Sequence, residues 1–319
     1  MMNKIKHQQV KDVNSIPNIL DYIICATGYE SRCVYAYEQL SDKKIKNKIC
    51  IGFNDNIVLA RELNDVFFKK NEFEISALDG SSYADIYSFL SGKIILNRLQ
   101  TEFNIVVDYS SMTKVWYAGV LNFFRNLKIE GVKIHLYFIY SNSHFILPSI
   151  ESPYNAYVEP IAGFSNLSIP ERPTALIIGL GYERNRAFSL KEYLDAEIIY
   201  LFLTDNSSNK EYYDAVVIEN SEIISNTASE NIFYYPLNDL VYAEMTLNNL
   251  CESLLTKYRI VLAPCGPKPF TLISLLVSAS NHDVDVWRIS AGSSNPPIDK
   301  KPIGELLISH IELSHYNLV

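Results

Sequence analysis

The residues best suited to chemistry in this chain form the segment Asp108-Tyr-Ser-Ser-Met-Thr-Lys114, which follows the apolar run 104–107. The segment supplies a carboxylate, the hydroxyl groups of Ser110, Ser111 and Thr113, and the ammonium group of Lys114. Hydroxyls, an ammonium and the backbone N–H groups at the start of a helix together form a cradle for an anion. The spacing departs from the P-loop consensus, so we do not predict an ATPase. A Ser/Thr-rich helix cap beside a solvated lysine is the alternative.

A related segment, Ala263-Pro-Cys-Gly-Pro-Lys268, follows a second apolar run near the C-terminus. It keeps the lysine and a turn but lacks the acid and the serine pair. A thiol at a helix N-terminus, such as that of Cys265, can become nucleophilic. No histidine is tied to Cys265 by local sequence, though His282 lies one helix later, so catalysis by Cys265 is an alternative. From the lysine and the turn we predict that Cys265, Gly266 and Lys268 contact a ligand. Because the two loops differ in their reactive side chains, we expect them to have different roles, with the loop 108–114 supplying most of the chemistry.

Each of these loops is preceded by a Gly-Tyr-Glu segment at the end of an earlier apolar run. Glycine permits a tight turn and close ligand approach, tyrosine can stack on a base, glutamate can act as a base, and arginine can hold a phosphate. The alternative is structural, because glutamate in a first helical turn favours the helix dipole and tyrosine and arginine can cover a sheet edge. The predicted ligand-binding residues are Gly28, Tyr29, Arg32, Gly181, Tyr182, Glu183 and Arg186, with Glu30 as a candidate base.

Two aspartates end the next apolar runs, Asp55 27 residues after Gly28 and Asp205 24 residues after Gly181. Acids that bind ribose lie at this distance in dinucleotide-binding folds. Aspartate is also a preferred helix cap, and both interpretations stay open.

These landmarks recur in the same order, and their spacing predicts the elements that position them. Gly28 and Lys114 are 86 residues apart, and Gly181 and Lys268 are 87 apart. Such a repeat indicates a duplicated fold. Alternating β-branched runs and helical segments are typical of parallel sheets with crossover helices. We expect an α/β protein of two pseudo-symmetric Rossmann-like lobes, each a mainly parallel five-stranded sheet with flanking helices.

The first lobe is predicted over 1–147, a proline-containing linker over 148–172, and the second lobe over 173–319. The expected strands lie near 21–26, 48–53, 73–78, 103–108, 133–140, 174–179, 197–203, 231–236, 258–263 and 284–290. A further short strand is expected within 206–230, at the run Ala-Val-Val-Ile. Residues 303–315 fit either a helix or a strand, and the first dozen residues are the segment least expected to fold.

Composition limits the partners. The formal charge of −8 argues against broad binding to DNA or RNA, but it leaves a small anionic ligand possible in a local pocket. The five cysteines have no zinc-site spacing, so we expect reduced thiols, no metal and no cofactor. We recognise neither a signal peptide nor a membrane span, and therefore expect a cytoplasmic protein.

The two loops that end in Thr113-Lys114 and Pro267-Lys268 resemble the Ser/Thr/Gly-rich turn that follows the fourth strand in CARF and SAVED ligand-sensing domains. The resemblance covers the general layout of nearly the whole chain, but the specific motif is only about seven residues per copy. It implies a bacterial sensor of cyclic oligonucleotides or related nucleotides in anti-phage defence, with the ligand between two lobes. The paired Gly-Tyr-Glu is not a general mark of that group, and no effector domain is recognisable.

Three functions follow from these observations. The first is a binding protein for a nucleotide-type anion, whose partner is an effector protein or further copies of the chain. The second is an enzyme that cleaves a nucleotide or phosphosugar, with Glu30 or Asp108 as general base. The third is an assembly subunit with degenerate pockets and tyrosine-rich faces.

Overall fold

A computed structural model describes residues 2–55, 57–97, 99–127, 129, 131–146, 157–166, 171–182, 186–207, 209–290 and 297–316. The chain divides into two compact units. The first contains Met1–His144 and Pro297–Val319, and the second contains Phe145–Pro296. No helix among the described residues is long and apolar enough to cross a membrane.

The first unit contains a seven-stranded sheet of order β1-β13-β6-β5-β2-β3-β4. The five strands from β6 to β4 are parallel, and β13 pairs antiparallel with both β6 and β1. The strands are β1 (Met2–Val10), β2 (Ile19–Thr27), β3 (Lys44–Phe53), β4 (Glu74–Leu78), β5 (Glu102–Asp108), β6 (Lys133–Ser143) and β13 (Pro302–Tyr316). The helices are α1 (Tyr35–Glu38), α2 (Arg61–Lys70), α3 (Tyr83–Lys93) and α4 (Lys114–Arg125), with 3-10 turns at Val13–Ser15 and Ser31–Val34.

The second unit contains a six-stranded sheet of order β10-β9-β8-β11-β12-β7, in which only β7 is antiparallel to its neighbour. The strands are β7 (Tyr157–Pro160), β8 (Thr174–Gly179), β9 (Ile198–Thr204), β10 (Ile232–Tyr235), β11 (Arg259–Pro264) and β12 (Val284–Ser290). The helices are α5 (Arg186–Tyr193), α6 (Lys210–Glu219), α7 (Ser221–Ser225), α8 (Leu240–Leu254) and α9 (Lys268–Ser280), with a 3-10 turn at Ser229–Asn231.

The α/β class is confirmed, but the expected five-stranded sheets are wrong because both sheets are larger and mixed. In each sheet five parallel strands follow the order third, second, first, fourth, fifth along the chain. The antiparallel additions come from the N-terminus and the predicted linker, which the sequence did not mark as strands, and from the C-terminal segment, for which a helix and a strand were both left open and which forms a strand. The shared strand order is what a duplication predicts, and the duplication itself stays a prediction.

The C-terminal segment also changes the predicted boundaries, since 297–319 belong to the first unit and not to a second lobe. Strand β13 lies between β1 and β6 and pairs with β1 over nine residues, from Met2↔Tyr316 to Val10↔Ile308. Its backbone groups are therefore paired on both sides. Such long-range pairing has no local sequence signal, because it depends on two strands that are distant along the chain.

Within the segment 206–230, where a short strand was expected, the structure has helices α6 (Lys210–Glu219) and α7 (Ser221–Ser225). The β-branched run 215–218 lies inside α6, whose N-cap Asn209 accepts a hydrogen bond from the backbone of Tyr212 at 2.9 Å. Capping and tertiary packing outweigh the weak strand preference of four residues.

Two histidines are in contact where β13 pairs with β6. Nδ1 of His135 and Nε2 of His310 are 3.0 Å apart, and Tyr137 stacks on His310 with ring centroids separated by 4.7 Å. Burial lowers the pKa of His310; the charge of His135 lowers it further, Glu312 opposes the shift, and His7 adds to it. The fold therefore favours neutral His310.

We predict that this contact makes stability fall in mild acid. Between the lowered pKa of folded His310 and the unfolded value of about 6.5, the unfolded chain binds more protons at this site, so the free energy of unfolding decreases as pH falls. A His310→Gln substitution removes this contribution and flattens the dependence, measured by urea denaturation at a series of pH values. Exposed His144 provides the control His144→Gln. Equal slopes for the wild type and both variants would contradict the assignment.

Candidate functional site

The carboxyl ends of β2 and β5 lie side by side in the first unit, at the point where the strand order reverses. Gly28 follows β2, and Ser111 lies in the loop after β5. A Cβ atom on Gly28 would lie 3.3 Å from Cβ of Ser111, so these two loops are in close contact. In open α/β sheets this edge is where ligands bind.

Asp108 ends β5 and is used to build the turn that follows. It is 2% exposed, and its Oδ1 accepts hydrogen bonds from the backbone N–H of Ser110 at 3.0 Å and from its hydroxyl at 2.6 Å. The hydroxyl of Ser110 in turn accepts from the backbone N–H of Ser141, at 2.8 Å, which ties this loop to β6. Asp108 is thus a buried turn residue, an unfavourable position for a general base.

The same Asp-x-Ser turn recurs after other strands. Oδ1 of Asp79 accepts from the backbone and the hydroxyl of Ser81, and Oδ1 of Asp205 does so from Ser207. For Asp205, predicted to bind a ligand, this supports the capping interpretation, although the aspartate caps a turn and not a helix. The Asp-x-Ser spacing is a sequence signal from which these turns could have been predicted. Asp55 instead lies exposed just after β3.

Arg32, predicted to hold a phosphate, is buried and engaged by the protein itself. Its Nε donates to Glu30 at 2.8 Å, and its terminal nitrogens donate to the carbonyls of Ser141 at 2.9 Å and Ser110 at 3.2 Å. Its guanidinium carbon lies 5.0 Å from the centre of the Tyr140 ring. Burial alone would lower the pKa of Arg32, but Tyr140 and Glu30 outweigh burial and raise it. Glu30 is correspondingly engaged as the counter-ion of a buried cation.

Helix α2 supports the Gly-Tyr-Glu loop through residues that we did not single out in the sequence. Nδ2 of Asn64 donates to the carbonyl of Gly28 at 2.9 Å and to that of Glu30 at 3.1 Å. The carbonyl of Tyr29, whose side chain is half-buried, accepts from the backbone N–H of Ala60 at 3.2 Å. Nothing in the local sequence separates this asparagine from an exposed one.

Two further residues of α2, Arg61 and Asp65, contact the ends of β2 and β3. Nε of Arg61 donates to Asp65 at 2.8 Å, and Asp65 also accepts from the hydroxyl of Thr27 at 2.6 Å. Arg61 further donates to the carbonyl of Phe53 at 3.1 Å. The ends of β2 and β3 are therefore joined to α2 by a partly buried ion pair.

The C-terminal segment reaches the same loop. The carboxylate of Asp299 accepts from the backbone N–H of Ser31 at 2.6 Å and from its hydroxyl at 2.7 Å, and the carbonyl of Lys300 accepts from the backbone N–H of Arg32 at 3.1 Å. A carboxylate of the chain thus occupies the turn after β2, where an anionic ligand would be expected in a dinucleotide-binding fold. The contact joins residues 268 positions apart, which explains why sequence reasoning missed it.

The loop after β5 leads directly into α4, and its last residue caps this helix. Thr113 is the N-cap of α4: its hydroxyl accepts from the backbone N–H of Trp116 at 3.2 Å and donates to the carbonyl of Gly80 at 2.7 Å. Half-buried Lys114 is the first residue of the helix. Ser111 is 9% exposed, and its hydroxyl has no hydrogen-bond partner among the described residues. An unpaired buried hydroxyl costs about 1–3 kcal/mol.

All five cysteines are buried, and none of them takes part in a disulfide bond in the structure. Burial raises the pKa values of Cys25, Cys33 and Cys50, and it raises that of Cys251 to about 12. These four thiols are therefore protonated at neutral pH and poorly reactive. Within the described parts of the chain, no group of three or more His, Cys, Asp or Glu residues could hold a metal ion.

In the second unit the corresponding glycines serve close packing. A Cβ atom on Gly181 would lie 2.4 Å from the carbonyl oxygen of Cys265, and one on Gly266 would lie 2.4 Å from that of Leu180. The loops after β8 and β11 thus meet backbone to backbone. Nδ2 of Asn220 donates to the carbonyl of Gly181 at 2.7 Å, which is the type of contact that Asn64 makes with Gly28.

The remaining predicted residues of the second unit are largely withdrawn from solvent. Tyr182 packs edge-on against Tyr212 and Phe145, with ring centroids 5.8 and 5.9 Å away. Arg186 and Cys265 are buried, and half-buried Lys268 begins α9. Glu183 lies outside the described residues. Half-buried Tyr182 therefore packs against the core of the second unit, and its role in ligand binding stays a prediction.

The predicted residues of the first half converge on one sheet edge, yet most of them hold that edge together. Those best placed for a ligand are Ser111 and Lys114. The chain matches no protein-family model and no curated protein. The chemistry of the site therefore has to be argued from its own residues.

We predict that Arg32 stabilises the folded structure through its contacts within the protein. An Arg32→Lys substitution keeps the charge but cannot keep three separate contacts, so we expect a loss of about 2–4 kcal/mol in the free energy of unfolding. Urea denaturation measures the change. The same substitution at exposed Arg172 is the control, with an expected effect within about 0.5 kcal/mol. Equal effects at the two positions would refute the network.

A second prediction concerns the glycines of the second unit. Gly181→Ala and Gly266→Ala place a methyl group against a backbone carbonyl, so each is expected to destabilise the protein by about 3 kcal/mol or more. Gly92 lies in α3 with no atom within 4 Å of its Cβ position, so Gly92→Ala should stabilise by about 0.5–1 kcal/mol. Thermal denaturation of the three variants distinguishes these outcomes. If Gly181→Ala and Gly266→Ala left the stability unchanged, close packing would not explain these glycines, and ligand contact would again be the better interpretation.

Proposed function

We propose that the first unit binds a small, nucleotide-type anion at the edge formed by the loops after β2 and β5, and that the protein is a sensor or carrier of this ligand. The observation that carries the proposal is the Ser111 hydroxyl, which is buried without a partner beside Gly28. Native proteins pair nearly all of their buried polar groups, so each exception calls for an explanation such as a bound water, an ion or a functional role. A ligand oxygen at this position would satisfy the hydroxyl.

The surroundings of Ser111 favour an anion. Helix α4 begins three residues later, and the positive end of its dipole lies at this edge together with Lys114. Thr113 holds this helix start against Gly80, so the N-terminus of α4 is fixed in position. Helix starts of this kind bind phosphate groups in P-loop and dinucleotide-binding motifs.

The occupied turn after β2 supports the same location. Asp299 already binds Ser31 there, so the first helix start is filled by a carboxylate of the protein. Of the two helix starts that flank the reversal of strand order, the one at α4 carries the unpaired hydroxyl. The proposed ligand therefore binds to the β5 loop.

Binding fits the site better than hydrolysis. Both candidate bases are engaged: Glu30 neutralises Arg32, and Asp108 accepts two hydrogen bonds from Ser110. A general base must be able to take a proton from substrate or water. Neither of the two carboxylates proposed as general base is therefore free for that role in the observed arrangement. Participation of the second unit and a role in anti-phage defence stay predictions.

The test separates binding from stability by comparing two buried serines of the same unit. Ser111 and Ser309 are 9% and 1% exposed, and both hydroxyls lack a partner among the described residues. Ser111→Ala should lower ligand affinity by about five- to thirtyfold, while leaving the free energy of unfolding equal or slightly higher. Ser309→Ala should have a similar effect on stability and none on affinity.

Calorimetry against a panel of AMP, ADP-ribose, NAD, cyclic dinucleotides and cyclic oligoadenylates supplies the affinities. Lys114→Met should also weaken binding and reduce its dependence on salt, because it removes a charge near the ligand. Absence of binding by any compound in the panel would contradict the proposal. So would a ligand whose affinity is the same for the wild type and Ser111→Ala.

A further inference from the structure

Helix α2 has an inverted distribution of side chains. Its inward face consists of Arg61, Asn64 and Phe68, which are 5%, 5% and 0% exposed. Its outward face carries Leu63 and Val66, which are 75% and 63% exposed. Surface helices of globular proteins normally place apolar residues inside and polar residues outside. The inward polar residues are explained by their contacts with the loops after β2 and β3; the outward apolar residues have no such explanation within the described chain.

The segment before α2 also carries exposed apolar side chains. Ile57, Val58 and Leu59 are 60%, 41% and 55% exposed. Leu59 also has a φ of 54°, in the left-handed region that is unfavourable for residues other than glycine. Because the side chain of Leu59 is 55% exposed, its burial offsets little of the cost of this backbone conformation. We refer to residues 57–59 with Leu63 and Val66 as the α2 patch.

Charges at the two ends of α2 indicate what covers the patch. With 3.6 residues per turn, Glu62, Leu63, Val66, Lys69 and Lys70 lie within about one third of the helix circumference. Exposed Glu62 is four residues before Val66, and exposed Lys70 is four residues after it. The face is therefore apolar in the middle, acidic at its N-terminal end and basic at its C-terminal end.

Such a face is complementary to itself. In an antiparallel pair of α2 helices related by a two-fold axis at Val66, Glu62 of each copy lies level with Lys70 of the other. A two-fold interface requires this self-complementarity, since each residue of the patch meets the patch of the second copy. The helix dipoles are also opposed in this arrangement, which is favourable. An anionic membrane would instead favour a face with cations at both ends.

We propose that the α2 patch is a homodimer interface, in which α2 packs antiparallel against α2 of a second copy of this chain. The interface is distinct from the ligand site, but the two are connected through one helix. Asn64 binds the Gly28 loop from the inward face of α2, and Leu63 and Val66 form the outward face. Dimerisation would hold the helix that supports the ligand-binding edge.

Sedimentation velocity of the full chain tests the proposal over concentrations up to about 200 μM. We expect a concentration-dependent dimer whose dissociation constant rises at least about tenfold in Leu63→Glu. Leu99, which is 92% exposed and lies outside the patch, provides the matched control Leu99→Glu, with no expected effect. Circular dichroism checks that both variants remain folded. A wild-type monomer throughout the range, or equal weakening by both substitutions, would overturn the proposal.

Charge reversal tests the antiparallel arrangement independently. Glu62→Lys and Lys70→Glu should each weaken the dimer, and the double variant should recover most of the lost affinity. A Val66→Cys variant should form a disulfide-linked dimer under oxidising conditions, because the two-fold axis brings the new thiols together. Non-additive recovery would support the pairing of these charges; further weakening in the double variant would exclude it. Binding to anionic phospholipid vesicles that is lost in Leu63→Glu, by a chain that stays monomeric, would also overturn the dimer.

Discussion

The first unit depends on the burial of one positive charge. The Arg32 guanidinium joins Glu30, the loop after β5 and the end of β6, in a place where it is almost completely removed from solvent. An unpaired charge there would be strongly destabilising, so each of these partners is required by the fold. This requirement decides which groups of the sheet edge are available for a ligand. It engages Glu30 and the carbonyl of Ser110, whereas the Ser111 hydroxyl, in the loop after β5, has no partner among the described residues.

The two units hold the loops after their neighbouring strands together by different kinds of contact. In the first, a side-chain network holds the loops after the neighbouring strands β2 and β5. In the second, the loops after β8 and β11 are held by direct backbone contact, made possible by Gly181 and Gly266. Backbone contact leaves little room for a ligand, because even a methyl group would overlap a carbonyl oxygen. The sequence difference between Ser110-Ser111 and Cys265-Gly266 therefore has a structural consequence, whatever the history of the two halves.

Helix α2 shows how one element can serve two surfaces. Its inward polar residues satisfy the carbonyl groups of a strand-end loop, which cannot pair with a neighbouring strand and would otherwise be buried without partners. Its outward apolar residues are then the side chains left for contact with another molecule. A helix judged only by its apolar residues would be rotated about its axis so that Leu63 and Val66 also face the core. The polar contacts of Asn64 and Arg61 reverse that expectation.

Local sequence determined the α/β class, the ten parallel strands and the sheet edges at which the repeated motifs lie. Strand and helix periodicity arises from neighbouring residues, so a single sequence contains it. Tertiary structure alone decided the roles of Arg32, Glu30 and Asp108, the place of β13 between β1 and β6, and the contact between Asp299 and Ser31. Each of these depends on burial or on pairing between residues far apart along the chain. Whether a polar side chain is held by the protein or available to a ligand is decided by those distant partners, and its own neighbours in sequence do not reveal it.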